Sequence, residues 1–274
     1  MKEVEIENLE IELLIEAILK RYGYDFRHYS RASLKRRVRH FLSKTDFGKV
    51  SEAIPQLIYE RTFFESLLYT ISITVTEMFR DAFVYKAIRE KIITFLKTYP
   101  FFKIWNAGCA TGQEVYSIAI MLKEEGLYDR AQIYATDFND DALEKAKKGI
   151  YPADCVKEYT GNYQRAGGKE SFSKYYHSKY GSVIINRRLR KNITFANHNL
   201  ASDAVFGEMQ LIMCRNVLIY FDQPLQNRVL KLFHDSLAHG GFLCLGSKES
   251  IRFSEVQDKF KAIDEKGKIY QKKG

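Results

Sequence analysis

The chain has 274 residues, 46% of them apolar and 14% aromatic, which suffices for one large domain or two smaller ones with full cores. It carries a net charge of +9, contains no run of 18 uncharged apolar residues, and begins Met1-Lys-Glu-Val-Glu-Ile-Glu without a signal-peptide core. These features argue against a membrane span and for a cytoplasmic protein, and four scattered cysteines (Cys109, Cys155, Cys214, Cys244) without a C-x-x-C pair argue against a disulfide frame or a metal site.

Residues 1–70 read as helical throughout. Leu9, Leu13, Ala17 and Ile18 share one face of a first helix. Within Ser33–Ser43, Leu34, Val38, Phe41 and Leu42 share another, with Lys35, Arg36 and Arg39 on the opposite side and Ser30 or Ser33 as N-cap. Leu57, Phe64, Leu67 and Leu68 predict a further helix. From Arg21 to Lys49 there are nine Lys or Arg and two acids, a density that suits an acidic partner. Ile71-Ser-Ile-Thr-Val-Thr76 alternates and is β-branched, so it reads as an extended linker. Glu77-Met-Phe-Arg-Asp81 then opens a helical stretch that Phe83 to Leu96 continues.

From Phe101 the pattern becomes strand, glycine turn, helix. The strand Phe101–Trp105 breaks at Gly108-Cys-Ala-Thr-Gly112, and a helix begins around Val115. This arrangement brings backbone N–H groups and a helix N-terminus to a nucleotide-like ligand. The spacing G-x-x-x-G is neither the dinucleotide G-x-G-x-x-G nor a P-loop. Glu114 follows the turn, where a carboxylate repels phosphate and suits an ammonium or sulfonium; S-adenosylmethionine carries both. The strand Ala131–Asp137 ends in an acid 25 residues after Gly112. Asp137 fits the ribose-hydroxyl acceptor that lies about 20 residues beyond such a turn. The competing role is a cap for the helix Asp141–Lys148, which Asn139, Asp140 or Asp141 fit equally.

Strands follow at Ile193–Ala196 and Leu211–Cys214, a helix at Pro224–Leu237, a strand at Gly241–Leu245, and a hairpin in Phe260–Gln271 turning near Lys266-Gly267. The fold class is therefore α/β: a Rossmann-like, mostly parallel sheet with an antiparallel C-terminal hairpin, of the class I S-adenosylmethionine-dependent methyltransferase type, preceded by an all-helical N-terminal domain. Tyr151 to Arg190 breaks the alternation, and Glu158–Ile185 reads as a small inserted β-subdomain. The expected division is 1–70, helical, basic and partner-facing; 71–90, a linker contributing to the active site; and 91–274, the cofactor-binding domain with its insertion at about 158–185.

Thr76-Glu-Met-Phe-Arg80, Ala110-Thr-Gly-Gln-Glu-Val-Tyr-Ser117, Ala135-Thr-Asp137, Asn199-Leu200 and Cys214-Arg-Asn-Val-Leu-Ile-Tyr-Phe221 together resemble the CheR-type chemotaxis receptor methyltransferases. The resemblance covers nearly the whole chain. It implies transfer of a methyl group from S-adenosylmethionine to glutamate side chains of chemoreceptors, giving methyl esters and S-adenosylhomocysteine. It implies that Thr76 and Arg80 line the cofactor and the entrance, that the turn at Gly108 and Glu114 hold the methionine or adenosine portion, and that Asp137 takes the ribose hydroxyls. Asn199 and Leu200 then contact the adenine, and Arg215, Asn216 and Tyr220 sit beside the methyl group. Where the family often has Asn, this chain has Thr74, whose hydroxyl replaces one amide hydrogen bond and not both. Where the family mostly has two glutamates, it has Gln113-Glu114.

A glutamate carboxylate is already ionised at pH 7, so the reaction needs alignment and not a general base. Arg80, Arg215 and Tyr220 are the expected catalytic residues, with one arginine for the cofactor's carboxylate and one near the substrate. Arg80→Ala and Arg215→Ala are each expected to cut methylation with the fold intact. His198 is read as structural. The expected partner is the acidic cytoplasmic helix region of a chemoreceptor, met by the basic helix around Lys35, Arg36, Arg37 and Arg39, with a receptor tail or another protein at the insertion. The alternatives are an RNA methyltransferase and a non-catalytic cofactor-binding signalling module; nucleic acid is the less expected partner, for lack of a recognisable RNA module.

Overall fold

Four helices build the first unit of the computed structural model, which describes residues 2–72, 74–205 and 207–274. They are α1 (Glu3–Tyr22), α2 (Arg31–Leu42), α3 (Val50–Tyr59) and α4 (Arg61–Ile71). This unit comprises Met1–Ile73 together with the return segment Ile219–Gln226. On α2, Leu34, Val38, Phe41 and Leu42 are all buried, as their spacing predicts, and Ser30 is the N-cap residue. On α1 the expected face is wrong. Ile11, Leu14, Ile15 and Ile18 are buried, whereas Leu9 and Leu13 stay 45% and 51% exposed. The helix has apolar residues on two faces, and the i, i+3, i+4, i+7 stripe that packs on α3 is the one the core takes. The single helix expected across Leu57–Leu68 is two. Glu60 is extended (φ −112°, ψ 105°), closing α3 and opening α4, while Leu57, Phe64, Leu67 and Leu68 all remain buried.

The second unit comprises Thr74–Leu218 and Asn227–Gly274. Its strands are β1 (Phe102–Ala107), β2 (Ala131–Asp137), β3 (Ile150–Pro152), β4 (Tyr176–Lys179), β5 (Ser182–Ile185), β6 (Ile193–Asn197), β7 (Met209–Cys214), β8 (Leu237–Leu245), β9 (Phe260–Asp264) and β10 (Ile269–Lys272). The remaining helices are α5 (Ala82–Lys91), α6 (Ile93–Leu96), α7 (Gln113–Glu124), α8 (Asp140–Lys148), α9 (Val156–Arg165) and α10 (Gln223–Ser236). Seven strands form one sheet in the order β6-β2-β1-β7-β8-β10-β9, parallel except that β10 runs antiparallel to both β8 and β9. The C-terminal hairpin stands where the sequence places it. Helix α7 is buried continuously from Val115 to Leu122, which explains its near-uninterrupted apolar run. The chain leaves β1 for β2 on one side and later returns as β7 on the other. That reversal opens a crevice at the carboxyl ends of β1 and β7, the usual ligand position in such sheets.

Two expectations are revised. Glu77–Asp81 does not open a helix, which starts only at Ala82. Phe79 and Asp81 have φ of 53° and 54°, and a left-handed residue cannot continue a right-handed turn. The inserted sheet has the order β3-β5-β4, so it recruits Ile150–Pro152 ahead of the expected 158–185 stretch, with α9 between its strands.

Candidate functional site

The glycine turn leaves β1 at Gly108 (φ 76°) and enters α7 through Gly112 (φ 92°). A Cβ on Gly108 would meet Val217 Cγ2 at 2.5 Å, and one on Gly112 would meet Ala146 Cβ at 2.9 Å, so both positions need glycine for space as well as backbone freedom. The N–H groups of Gly108 and Cys109 donate to the Thr136 carbonyl at 2.8 and 2.9 Å, joining the turn to the end of β2. Tyr151 Oη donates to the Thr111 carbonyl at 2.8 Å, so the insertion braces the same turn.

Glu114, in the first turn of α7, accepts from Asn106 Nδ2 at 2.7 Å and from Arg215 Nη1 at 2.8 Å. Arg215 has a side chain 1% exposed, and its Nη2 donates to Asp81 at 2.7 Å while Nη1 also reaches the Arg80 carbonyl at 3.1 Å. Burial works against its charge, but Glu114 first, then Tyr85, Cys244 and Asp81, more than reverse this and hold the guanidinium pKa above its ordinary value. Among the described residues, Asn106 Oδ1 and Arg215 Nε of the cluster are buried without a hydrogen-bond partner. A buried orphan polar atom costs about 1–3 kcal/mol and marks a place where another molecule completes the bonding. An acceptor beside a carboxylate fits the ammonium of S-adenosylmethionine.

Asp137 stands half-buried at the end of β2. Its Oδ2 accepts from Ala110 N–H at 2.9 Å and Oδ1 from Asn139 N–H at 3.0 Å. Burial pushes its carboxyl up against the pull of these N–H groups. The cap of α8 is Asn139, whose Oδ1 accepts from Ala142 N–H at 3.1 Å, so Asp137 is not needed for capping. Next to it, His198 N–H donates to the Asp137 carbonyl, and the His198 ring is buried edge-on against Trp105. Asn199 Oδ1 accepts from Ala201 N–H at 3.0 Å, and Leu200 is buried.

The linker is pinned from several sides. Thr111 Oγ1 donates to the Thr74 carbonyl at 3.4 Å, Asn162 Nδ2 to the Met78 carbonyl at 3.1 Å, and Phe79 N–H to Ser117 Oγ at 2.9 Å. These bonds hold Thr76 and Arg80 half-buried. The Arg80 guanidinium makes no hydrogen bond or ion pair among the described residues; its charge, Glu158 and burial all act on the Glu77 carboxyl, which burial and Glu158 push up on balance. Asn216 (φ 62°) donates its N–H to Glu249 Oε2 at 3.0 Å, and Gly246 N–H donates to the same oxygen at 2.6 Å.

Tyr220 belongs to the helical unit, where its carbonyl accepts from Ser30 N–H at 2.7 Å and its ring lies 5.5 Å from the Arg37 guanidinium. Arg37 also donates to the Thr70 carbonyl at 3.1 Å. Lys35 and Arg39 both pair with Glu7 of α1, while Arg36 is exposed.

Sequence reasoning missed Asn106, Asp81, Ser117, Asn162 and Glu249. Asn106 sits two residues before the glycine turn and so carries a positional signal. The others are assembled only by tertiary folding.

Residues 74–269 match the family model described as "CheR methyltransferase, SAM binding domain", and residues 9–72 the one described as "CheR methyltransferase, all-alpha domain". The chain is 50% identical over 265 residues to "Putative methyltransferase Cher3" of Pseudomonas putida, covering 97% of each. It is 29% identical to a "Chemotaxis protein methyltransferase" of Listeria innocua, covering 87% of this chain and 89% of that one. With "Chemotaxis protein methyltransferase Cher2" of Pseudomonas putida it shares 29% identity over 76% of its own length and 77% of the relative's.

Proposed function

The chain belongs to the CheR methyltransferase family and uses S-adenosylmethionine, and on that premise we propose that it esterifies glutamate side chains on the cytoplasmic helices of chemoreceptors. The observation that carries the assignment of roles is the contrast between two arginines. Arg215 is buried and engaged by Glu114 and Asp81, whereas the Arg80 guanidinium makes no hydrogen bond or ion pair among the described residues.

S-adenosylmethionine bound here supplies a methyl group on an electrophilic sulfonium. Asn106 and Glu114 would receive the ammonium, Asp137 the ribose hydroxyls, and Asn199 and Leu200 would flank the adenine. Thr74, Thr76, Gly108 and Asn216 line the remaining contour. Arg80 would hold the cofactor's carboxylate, a group that a guanidinium can meet with two parallel hydrogen bonds. That role is better suited to an arginine than holding the nucleophile, because a tightly paired substrate carboxylate is stabilised in the ground state and reacts more slowly. Arg215 is a positioning residue, fixing Glu114 and the linker through Asp81 and the Arg80 carbonyl. The incoming glutamate is already ionised, so no base has to act.

The acidic receptor helices meet the basic face of α2, led by Arg36, with Lys35 and Arg39 shared with Glu7. No helix among the described residues is long and apolar enough to cross a membrane, and the reaction belongs in the cytoplasm with the receptor's inner end. The test is methyl transfer from labelled S-adenosylmethionine to soluble receptor cytoplasmic fragments. Base-labile label on protein is the expected result; label on RNA, or cofactor binding without transfer, overturns it.

A further inference from the structure

The loop that follows β8 holds a feature that none of these roles absorbs. Phe253 is 90% exposed and has φ of 64°. A left-handed backbone suits glycine; on a bulky aromatic it is a strained choice that persists only where the surroundings impose it. Here they do. Ile251 and Val256 are buried on either side. Gln257 Oε1 accepts from Phe253 N–H at 2.8 Å, Ser250 Oγ from Arg252 N–H at 3.1 Å, and Ser254 Oγ donates to the Ile251 carbonyl at 2.6 Å. The loop is thus built to present the ring outward.

Its base is tied to the reaction site. Glu249, buried within this loop, accepts from the N–H groups of Gly246 and Asn216, and Asn216 is the neighbour of Arg215. Strands β7 and β8 are parallel with Cys214 beside Leu245, so the loop leaves from the same carboxyl end of the sheet as the Arg215 corner. Lys248 and Arg252 are exposed, and neither joins an ion pair among the described residues.

We propose that the loop Gly246–Gln257 is a docking element for the methyl-accepting protein, with Phe253 as an apolar anchor and Lys248 and Arg252 meeting the acidic residues around the target glutamate. A rigid exposed aromatic with Arg252 beside it and Lys248 in the same loop, against one exposed acid, Glu255, suits an amphipathic acidic helix. The proposal rests on the reading that the substrate is an acidic receptor helix. It is tested with Phe253→Gly, which relieves the left-handed strain and so leaves the fold at least as stable. The expected result is a rise of about tenfold in KM for the receptor fragment. The melting temperature does not fall, and affinity for S-adenosylhomocysteine is unchanged. Lys248→Glu with Arg252→Glu raises KM in the same direction. An unchanged KM in Phe253→Gly overturns the proposal alone, as does a loss of melting temperature and cofactor affinity, which would make the ring a packing residue. If the wild type leaves no base-labile methyl on the fragment, the functional reading itself fails and this proposal with it.

Discussion

Arg215 donates from Nη1 to Glu114 at 2.8 Å while its Nη2 holds Asp81 at 2.7 Å, so one buried guanidinium ties the first turn of α7 to the end of the linker. Removing one partner of a buried ion pair leaves uncompensated charge and costs about 3–5 kcal/mol. Arg215→Ala is therefore expected to lower stability as well as activity, a revision of the expectation that the fold stays intact. Urea denaturation of the cofactor-free protein checks it. Pairing Arg215→Met with Glu114→Gln restores part of the stability and none of the activity, since the charge imbalance is reduced but the site is not rebuilt. Wild-type stability in Arg215→Ala would refute the positioning role.

Arg80 behaves differently. Its guanidinium makes no hydrogen bond or ion pair among the described residues, so Arg80→Ala leaves the denaturation midpoint near that of the wild type. Charge-assisted hydrogen bonds contribute about 1.5–3 kcal/mol, which corresponds to a loss of roughly 10- to 100-fold in cofactor affinity. Titration calorimetry with S-adenosylhomocysteine reads this directly. Lysine is expected to recover only part, because a point charge cannot form the parallel pair. Equal affinity in Arg80→Ala would move the carboxylate grip elsewhere.

Asp137 makes cofactor binding depend on pH. Burial raises its carboxyl pKa above the ordinary value, so the folded protein binds that proton more tightly than the unfolded chain does. Alone, the group weakens the cofactor-free fold as pH rises from the unfolded pKa through the folded one, and the penalty vanishes below both. Ribose hydroxyls donating to the carboxylate favour its ionised form and lower the pKa. Binding then releases a proton in the window between the bound and free values, and affinity falls as pH drops through the free value. Calorimetry in two buffers of different ionisation enthalpy, from about pH 7 to about pH 4, measures the release. Asp137→Asn is expected to abolish it and to weaken binding.

The sheet was largely legible because its strands are apolar, short and punctuated. Ala131–Asp137 is read to the residue, and the hairpin at Lys266-Gly267 follows from its turn. The linker was not. Glu77–Asp81 has helical composition, and only Ser117, Asn162 and Arg215, remote in sequence, impose the left-handed turns at Phe79 and Asp81. The first helix shows the same limit. With apolar residues on two faces, periodicity alone cannot say which one meets α3. Of the site, the glycine turn, Glu114 and Asp137 announce themselves by position. The commitment of Arg215 to Glu114 depends on side-chain reach that spacing does not encode.

The basic helix separates Arg36 from Arg37. Both lie in the stretch expected to face the partner, yet Arg37 reaches the Thr70 carbonyl and the Tyr220 ring, and burial lowers its pKa. Arg37→Ala removes a stacked, hydrogen-bonded side chain and is expected to destabilise the helical unit by about 1–2 kcal/mol. Arg36→Glu breaks no hydrogen bond or ion pair among the described residues, so its melting temperature stays near wild type while KM for the receptor fragment rises. That rise is expected to shrink with added salt, because an exposed charge pair is screened beyond about 10 Å at 0.1 M. Lys35→Glu gives a mixed result, since it also repels Glu7. A salt-independent KM in wild type and Arg36→Glu alike would remove α2 from the receptor interface.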